Sequence, residues 1–352
     1  MERGIFMILS GLGVWSFGGM IGAIALLIVG LILIIKCGDF FVDAAVWMAD
    51  ELRVPKFLIG VTIVSIGTTL PELLVSIFAV LGGSYDMGIG NAVGSVTANT
   101  GLILALSAIF VGGNVDRKEF GIKGLIIIIT SIILLGFSLT GKFGILPSIL
   151  LIIIFIIHMT ITIIGAKKND AETEKVMEVA EEVASKKATG KDWLIHILLL
   201  VLGAIGIAVA AKLLVDNATI IASDLGVSEG IIGITIVAIG TSLPELVTTI
   251  TSIVKKHGDL GVGNVIGANI IDLVLILPIC SFISGGNLVV SAQSYILDIP
   301  AMLLISLIAV IPTVINKKFT KVQGFFLLGT YIAYLVLAMQ YKFLIRKNLE
   351  LS

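Results

Sequence analysis

Gly60-Val-Thr-Ile-Val-Ser-Ile-Gly-Thr-Thr-Leu-Pro-Glu72-Leu returns 173 residues later, without a gap, as Gly233-Ile-Thr-Ile-Val-Ala-Ile-Gly-Thr-Ser-Leu-Pro-Glu245-Leu. Twelve of the twenty positions from Gly60 to Ala79 are identical in the second copy. At the same offset Gly88-Ile-Gly-Asn-Ala-Val-Gly94 becomes Gly261-Val-Gly-Asn-Val-Ile-Gly267, Asn99 falls on Asp272, and Val42-Asp43 falls on Val215-Asp216. The chain is an internal duplication, and each copy carries one carboxylate inside an apolar run.

The background to those carboxylates is hydrocarbon. With 57% hydrophobic and 13% charged residues and a mean hydropathy of +1.14, the chain has too little polar surface for a soluble protein of 352 residues. It reads as an integral membrane protein. A net charge of −1 offers no basic face for nucleic acid. Cys37 and Cys280 sit in or beside apolar spans without ligand spacing, which suits packing rather than a disulfide or zinc framework. Residues Ile5 to Leu9 are apolar but lack a basic region and cleavage signal, so the first true span is expected to carry the targeting information.

A bilayer core needs roughly 20 apolar residues per helix. Ten candidate spans follow, at 20–49, 55–82, 88–111, 121–139, 143–165, 193–224, 228–255, 259–284, 293–315 and 321–341. The chain thus divides into a first five-helix repeat with the N-terminal segment (1–165), a charged cytoplasmic linker (166–192) and a second five-helix repeat (193–352). If the N-terminus is outside, cytoplasmic segments hold sixteen Lys and Arg and external ones five, so both termini are predicted extracellular. The duplicated stretches fall in spans two and seven, and an odd separation reverses their direction. The expected fold is all-α and integral to the membrane: ten transmembrane helices in two inverted repeats, with broken helices at the centre, the plan of many secondary transporters.

Glu72 and Glu245 lie near the middle of their spans, where a carboxylate costs about 2.5–3.5 kcal/mol on insertion scales and must face a cavity, a partner or an ion. Pro71 and Pro244 lack an N–H and clash with the carbonyls of Gly67 and Gly240, so each helix is expected to kink or open there and free carbonyl oxygens. Thr68 and Thr241 precede the glutamates by one turn. The next span adds Ser95 and Asn99 in the first copy and Asp272 in the second, beside glycines that permit close helix approach. The candidate site is therefore Thr68, Thr69, Glu72, Ser95, Asn99, Thr241, Ser242, Glu245 and Asp272, with no convergent His or Cys. Ligation by oxygen alone selects hard cations. It suits Ca²⁺, which takes 6–8 oxygens, and also Na⁺. Three ionised carboxylates in a low dielectric demand compensation by Ca²⁺, several Na⁺ or protons. A site that changes sides only when filled would exchange one for the other.

At these residues the chain resembles the calcium/cation antiporter superfamily, most closely the prokaryotic-type sodium/calcium exchangers. The resemblance rests on Gly-Thr-Thr-Leu-Pro-Glu and Gly-Thr-Ser-Leu-Pro-Glu, each followed by Gly-Asn-x-x-Gly, and covers nearly the whole chain. It implies that Glu72 and Glu245 bind Ca²⁺ and share in Na⁺ binding, helped by Thr68 and Thr241. Thr69 and Ser242 stand beside them, and Ser95, Asn99 and Asp272 match polar positions of the third and eighth helices. Backbone carbonyls near Ser65 and Ala238 would line the sites, and helices 20–49 and 193–224 would slide against a core to give alternating access. One departure stands out: Ala268 occupies the place opposite Ser95, where the family commonly has Ser.

The expected function is secondary antiport of Ca²⁺ against Na⁺ in the cell membrane, with H⁺ as an alternative coupling ion and K⁺-dependent exchange a further one. A divalent cation channel ranks below these. No enzymatic nucleophile, cofactor or obligatory protein partner is evident beyond the transported ions and the lipid bilayer. Asp39, Asp43 and Lys212 read as interfacial ion pairs, His158 and His196 as interfacial residues near cytoplasmic helix ends, and Trp15, Trp47 and Trp193 as interface anchors.

Overall fold

In the computed structural model, which describes residues 19–114, 117–177, 188–225 and 238–350, every long apolar run is helical. A helix is the form in which such a run satisfies its own backbone in lipid. The helices are α1 (Gly19–Glu51), α2 (Lys56–Leu81), α3 (Tyr85–Phe110), α4 (Arg117–Ser138), α5 (Ile145–Met177), α6 (Gly190–Asp224), α7 (Leu243–Val254), α8 (Gly258–Ile283), α9 (Ser294–Asn316) and α10 (Lys321–Glu350). Nine of these, among the described residues, are long and apolar enough to cross a membrane; α7 is shorter. It covers the second half of the expected span 228–255 and is preceded by one helical turn, Ala238–Thr241. The opening of the second motif, Gly233 to Val237, lies outside the described residues, as do Trp15, the N-terminal apolar stretch and 178–187 of the linker.

The charged segment 166–192 is helical at both ends. Helix α5 continues to Met177 and α6 already begins at Gly190. The start of α6 is fixed by a reciprocal cap: Asp192 N–H donates to Thr189 Oγ1, and Thr189 N–H donates to Asp192 Oδ2 at 2.8 Å. At the other end of the scale, the tight α2–α3 connection depends on Gly83, whose φ of +82° is open to glycine.

Two pairs of very short strands tie the halves together. β1 (Gly113–Asn114), after α3, pairs antiparallel with β4 (Lys318–Phe319), after α9. β2 (Lys142–Phe143), after α4, pairs with β3 (Leu288–Val289), after α8. The main apolar core lies among the helices so laced, with Ile89, Leu104, Ile127, Leu151, Leu273 and Ile305 all buried. A second core, built on Ile34, Phe41, Val64, Ile207 and Ala210, joins α1 and α6 to the first half of α2.

Helices α1 and α6 pack on each other along their length. Gly30 lies against Leu214, Cys37 against Gly206 and Phe41 against Gly203, and Trp47 stacks on His196 with ring centroids 3.7 Å apart. Partners fall in number as α1 rises, so the two helices are antiparallel. Trp193 meets Trp47 edge to face at 5.2 Å, so the two tryptophans anchor one helix pair rather than separate points.

Prolines inside spans leave carbonyls without donors, and one such debt is met by a neighbour. Pro312 cannot donate to Ile308 O. Gln323 of α10 supplies that bond from Nε2 at 2.9 Å, and also reaches Ala309 O and Thr313 Oγ1, both at 2.8 Å. Two basic or titratable residues depart from expectation. Lys123, counted with the loops, is 5% exposed inside α4 with Nζ 4.9 Å from the Phe57 ring centroid, and His158 is buried within α5. Lys123 lies against Phe57 of α2, and His158 faces the Lys123 region of α4.

Candidate cation site

The first motif stays helical on both sides of Pro71, across Ser65–Leu81, and does not open there. A π-helical turn lies earlier, at Gly60–Val64, an irregularity of a kind frequent at functional sites. Gly67, four residues before Pro71, faces Phe41 of α1 and Ala204 of α6. In the second copy the helix does stop: Ser242 adopts φ −91°, ψ 9° between Thr241 and Leu243, and Pro244 stands in the first turn of α7, where its missing N–H costs nothing. Gly240 faces Val215 of α6.

Eight of the nine sequence-predicted residues are buried. Thr68, Thr69, Glu72, Ser95, Asn99, Ser242, Glu245 and Asp272 are each 2% exposed or less, and Thr241 is half-buried. Thr69 of the first copy donates from Oγ1 to Glu245 Oε1 of the second at 3.4 Å, crossing between the repeats. Glu72 stands within electrostatic reach of both Glu245 and Asp272. Asn99 and Asp272 each begin a π-helical turn, Asn99–Leu104 and Asp272–Ile276. Such turns are frequent at functional sites because they redirect side chains and loosen the backbone ladder.

Unmet hydrogen-bonding capacity is concentrated here. Both carboxylate oxygens of Glu72 and of Asp272, Glu245 Oε2, Ser95 Oγ, Asn99 Oδ1 and Ser242 Oγ are buried without a hydrogen-bond partner. Among the described residues no three His, Cys, Asp or Glu side chains stand close enough to hold an ion by themselves. A cation at Glu72 and Glu245 would therefore draw on hydroxyl, amide and backbone oxygens, the mixed set that hard cations accept.

Two asparagines complete the frame, and their role was not read from the sequence. Asn264 of α8 accepts from Thr68 Oγ1 at 3.0 Å through Oδ1 and donates from Nδ2 to Thr248 Oγ1 of α7 at 2.8 Å. Its repeat partner Asn91 donates to Glu72 O at 3.2 Å and to Ser76 Oγ at 3.0 Å. The signal was present: both are the Asn of Gly-Asn-x-x-Gly, where attention fell on the glycines. In the second copy Gly263 and Gly267 bring α2 and α8 together, whereas among the described residues nothing lies within 4 Å of a Cβ on Gly90 or Gly94. A Cβ on Gly60 would meet backbone of Leu260 and Asn264, and one on Gly263 would meet Phe57 backbone.

A family model described as "Sodium/calcium exchanger protein" matches residues 22–164 and 195–340. The chain belongs to this family. Membership makes it a membrane transporter of the cation/Ca²⁺ exchange type. It is 35% identical to the inner membrane protein YrbG of Escherichia coli over 82% of this chain and 88% of that one. It is 29% identical to the sodium/calcium exchanger MaX1 of Methanosarcina acetivorans over 88% and 97% of the two chains. Among solved structures it resembles the sodium-calcium exchanger NCX_Mj soaked with 2.5 mM Na⁺ and 0.1 mM Ca²⁺, at 31% identity and a TM-score of 0.73 over 89% of this chain and 97% of that one.

Proposed function

We propose that this chain exchanges Ca²⁺ for Na⁺ by alternating access at Thr68, Thr69, Glu72, Ser95, Asn99, Thr241, Ser242, Glu245 and Asp272. The observation that carries the reading is the concentration of unpartnered buried oxygens at these residues. Each such group costs about 1–3 kcal/mol if left unmet, and more when charged. Oxygens of this kind, gathered at matched positions of two repeats, suit cations that are held in turn and released.

The inverted arrangement has two supports. Helices α1 and α6 are equivalent under the 173-residue offset and pack antiparallel. The strand pairs add a parity argument: β2 and β3 share one face of the molecule, so an even number of crossings separates them. Helices α5, α6 and α8 account for three, and the fourth falls between Asp224 and Gly258, where α7 lies. Helices α2 and α7 are then five crossings apart and run oppositely. Termini outside also suits the turns that follow α1, α7 and α9, where Arg53, Lys256 and Lys317 hold positive φ. Basic residues stand there, in place of glycine, on the face the topology makes cytoplasmic.

Sodium is favoured over the proton as coupling ion by the neutral oxygens that flank the glutamates. A proton needs a carboxylate alone, whereas Na⁺ needs several ligands. The names of MaX1 and NCX_Mj point the same way. Proton coupling draws its support from Ala268, which lacks the hydroxyl found at Ser95. The test is uptake of radiolabelled Ca²⁺ into proteoliposomes loaded with Na⁺ and diluted into Na⁺-free buffer, beside a pH jump of matched size. Uptake driven by Na⁺ and lost in Glu72→Ala is expected. Uptake driven by the pH jump alone would make it a proton-coupled exchanger.

A further inference from the structure

We infer that the Ser65 hydroxyl is a cation ligand standing in for the hydroxyl absent at Ala268, so that the crossing of α2 with α8 gains the hydroxyl that Ser95 gives to α3. The inference deepens the exchange reading above and rests on it. Under the 173-residue offset Ser95 matches Ala268, and Ser65 matches Ala238. Both hydroxyls thus stand in the first copy and both methyls in the second, but α2 packs on α8 and the Ala238–Thr241 turn packs on α3, so each hydroxyl belongs to the crossing where the other copy supplies a methyl. Each would be unremarkable alone; what matters is where they meet.

Helix α2 crosses α8 at this point. A side chain at Gly267 would overlap Ser65 Oγ and Val61 O, so the Ser65 hydroxyl rests against the residue next to Ala268. Ala268 precedes Asp272 by one turn, as Ser95 precedes Asn99. On its own helix Ser65 falls at i, i+3, i+4 and i+7 with Thr68, Thr69 and Glu72, and all four are buried on one stripe. The hydroxyl proton is directed to the backbone, donating to Val61 O at 2.7 Å or Thr62 O at 3.1 Å. Among the described residues no donor is bonded to the oxygen, which leaves its lone pairs available to a cation.

A serine that only bonds back to its own helix would do so wherever it stood, and its loss would not be repaired from another helix. The test uses that difference. Detergent-purified wild type, Ser65→Ala, Ala268→Ser and the double variant are melted while Na⁺, K⁺ or Ca²⁺ is titrated, because a bound cation adds stability as RT ln(1 + [cation]/Kd), from which the half-saturating concentration is fitted. Ser65→Ala is expected to raise the half-saturating Na⁺ concentration about tenfold, as the loss of one ligand implies, with melting in cation-free buffer unchanged. The double variant should return to within about threefold of wild type. An unchanged titration for every cation in Ser65→Ala, or a double variant no better than the single one, would overturn the inference. A wild type indifferent to Na⁺ whose Ca²⁺ or K⁺ titration follows the swap would keep it and overturn Na⁺ coupling instead.

Discussion

Replacing Asn264 with Leu removes the amide that holds Thr68 of α2 and Thr248 of α7 to one point on α8. The side chain is fully buried and Leu has the same branching and number of heavy atoms, so the change deletes two hydrogen bonds without opening a cavity. Interhelical hydrogen bonds in membrane proteins average about 0.6 and reach about 1.7 kcal/mol. Two of them give roughly 1–3 kcal/mol, or about a fivefold to 150-fold loss if the energy is spent on keeping Thr68 in place. The assay is the Ca²⁺ dependence of uptake in proteoliposomes, with melting of the same preparation in detergent. The half-saturating Ca²⁺ concentration should rise within that range while the protein stays folded. A folded variant whose half-saturation moves by less than twofold would refute the idea that Asn264 positions the site.

Three further outcomes follow from the packing. Gly263→Ala should lower the melting temperature, since the added methyl meets Phe57 backbone that cannot give way; overpacking of this kind costs about 1–3 kcal/mol, and an unshifted melt would mean the helices separate freely. Gln323→Leu should destabilise by about 1–3 kcal/mol through the orphaned Ile308 carbonyl, with Ca²⁺ half-saturation unaltered; a change in affinity would count against a purely structural role. Lys255, at the end of α7, pairs with Asp43 at 2.7 Å and with Asp39 at 3.5 Å on α1, and bonds the Asp39 carbonyl at 3.2 Å. The pair is partly exposed, worth up to about 1 kcal/mol, so Lys255→Met should change the transport rate by no more than about fivefold. A twentyfold change would show that the tie controls the motion of α1.

Much of this architecture was legible because it was written twice. The offset located the two glutamates, and the cost of a carboxylate in hydrocarbon said that they must face something. Eight of the nine named residues are buried and Thr241 is half-buried, and Thr69 meets Glu245 across the copies. The local backbone was less readable. Pro71 was expected to open its helix, yet the irregularity lies at Gly60–Val64, where the chain must also pass close to Gly263. That depends on a contact about 200 residues away in the chain, which no local rule contains. The π-helical turns at Asn99 and Asp272 are of the same kind, set by packing between helices rather than by propensity. Lys123 and His158 are not legible as interior residues, because a charge suits solvent until a contact such as that of Lys123 with Phe57 of α2 is known.

The two short ladders have a consequence for how the molecule is made. Each joins a loop of the first half to one that the ribosome delivers much later, and Gly113 meets Phe319 only when more than half the chain has followed it. The first five helices therefore enter the bilayer before their fastenings exist, and α3, α4 and α5 wait, loosely held, for α8 to α10. Helices α1 and α6 have no strand in either ladder. Biosynthesis thus ends with a frame closed by its last helices around a pair that neither ladder holds.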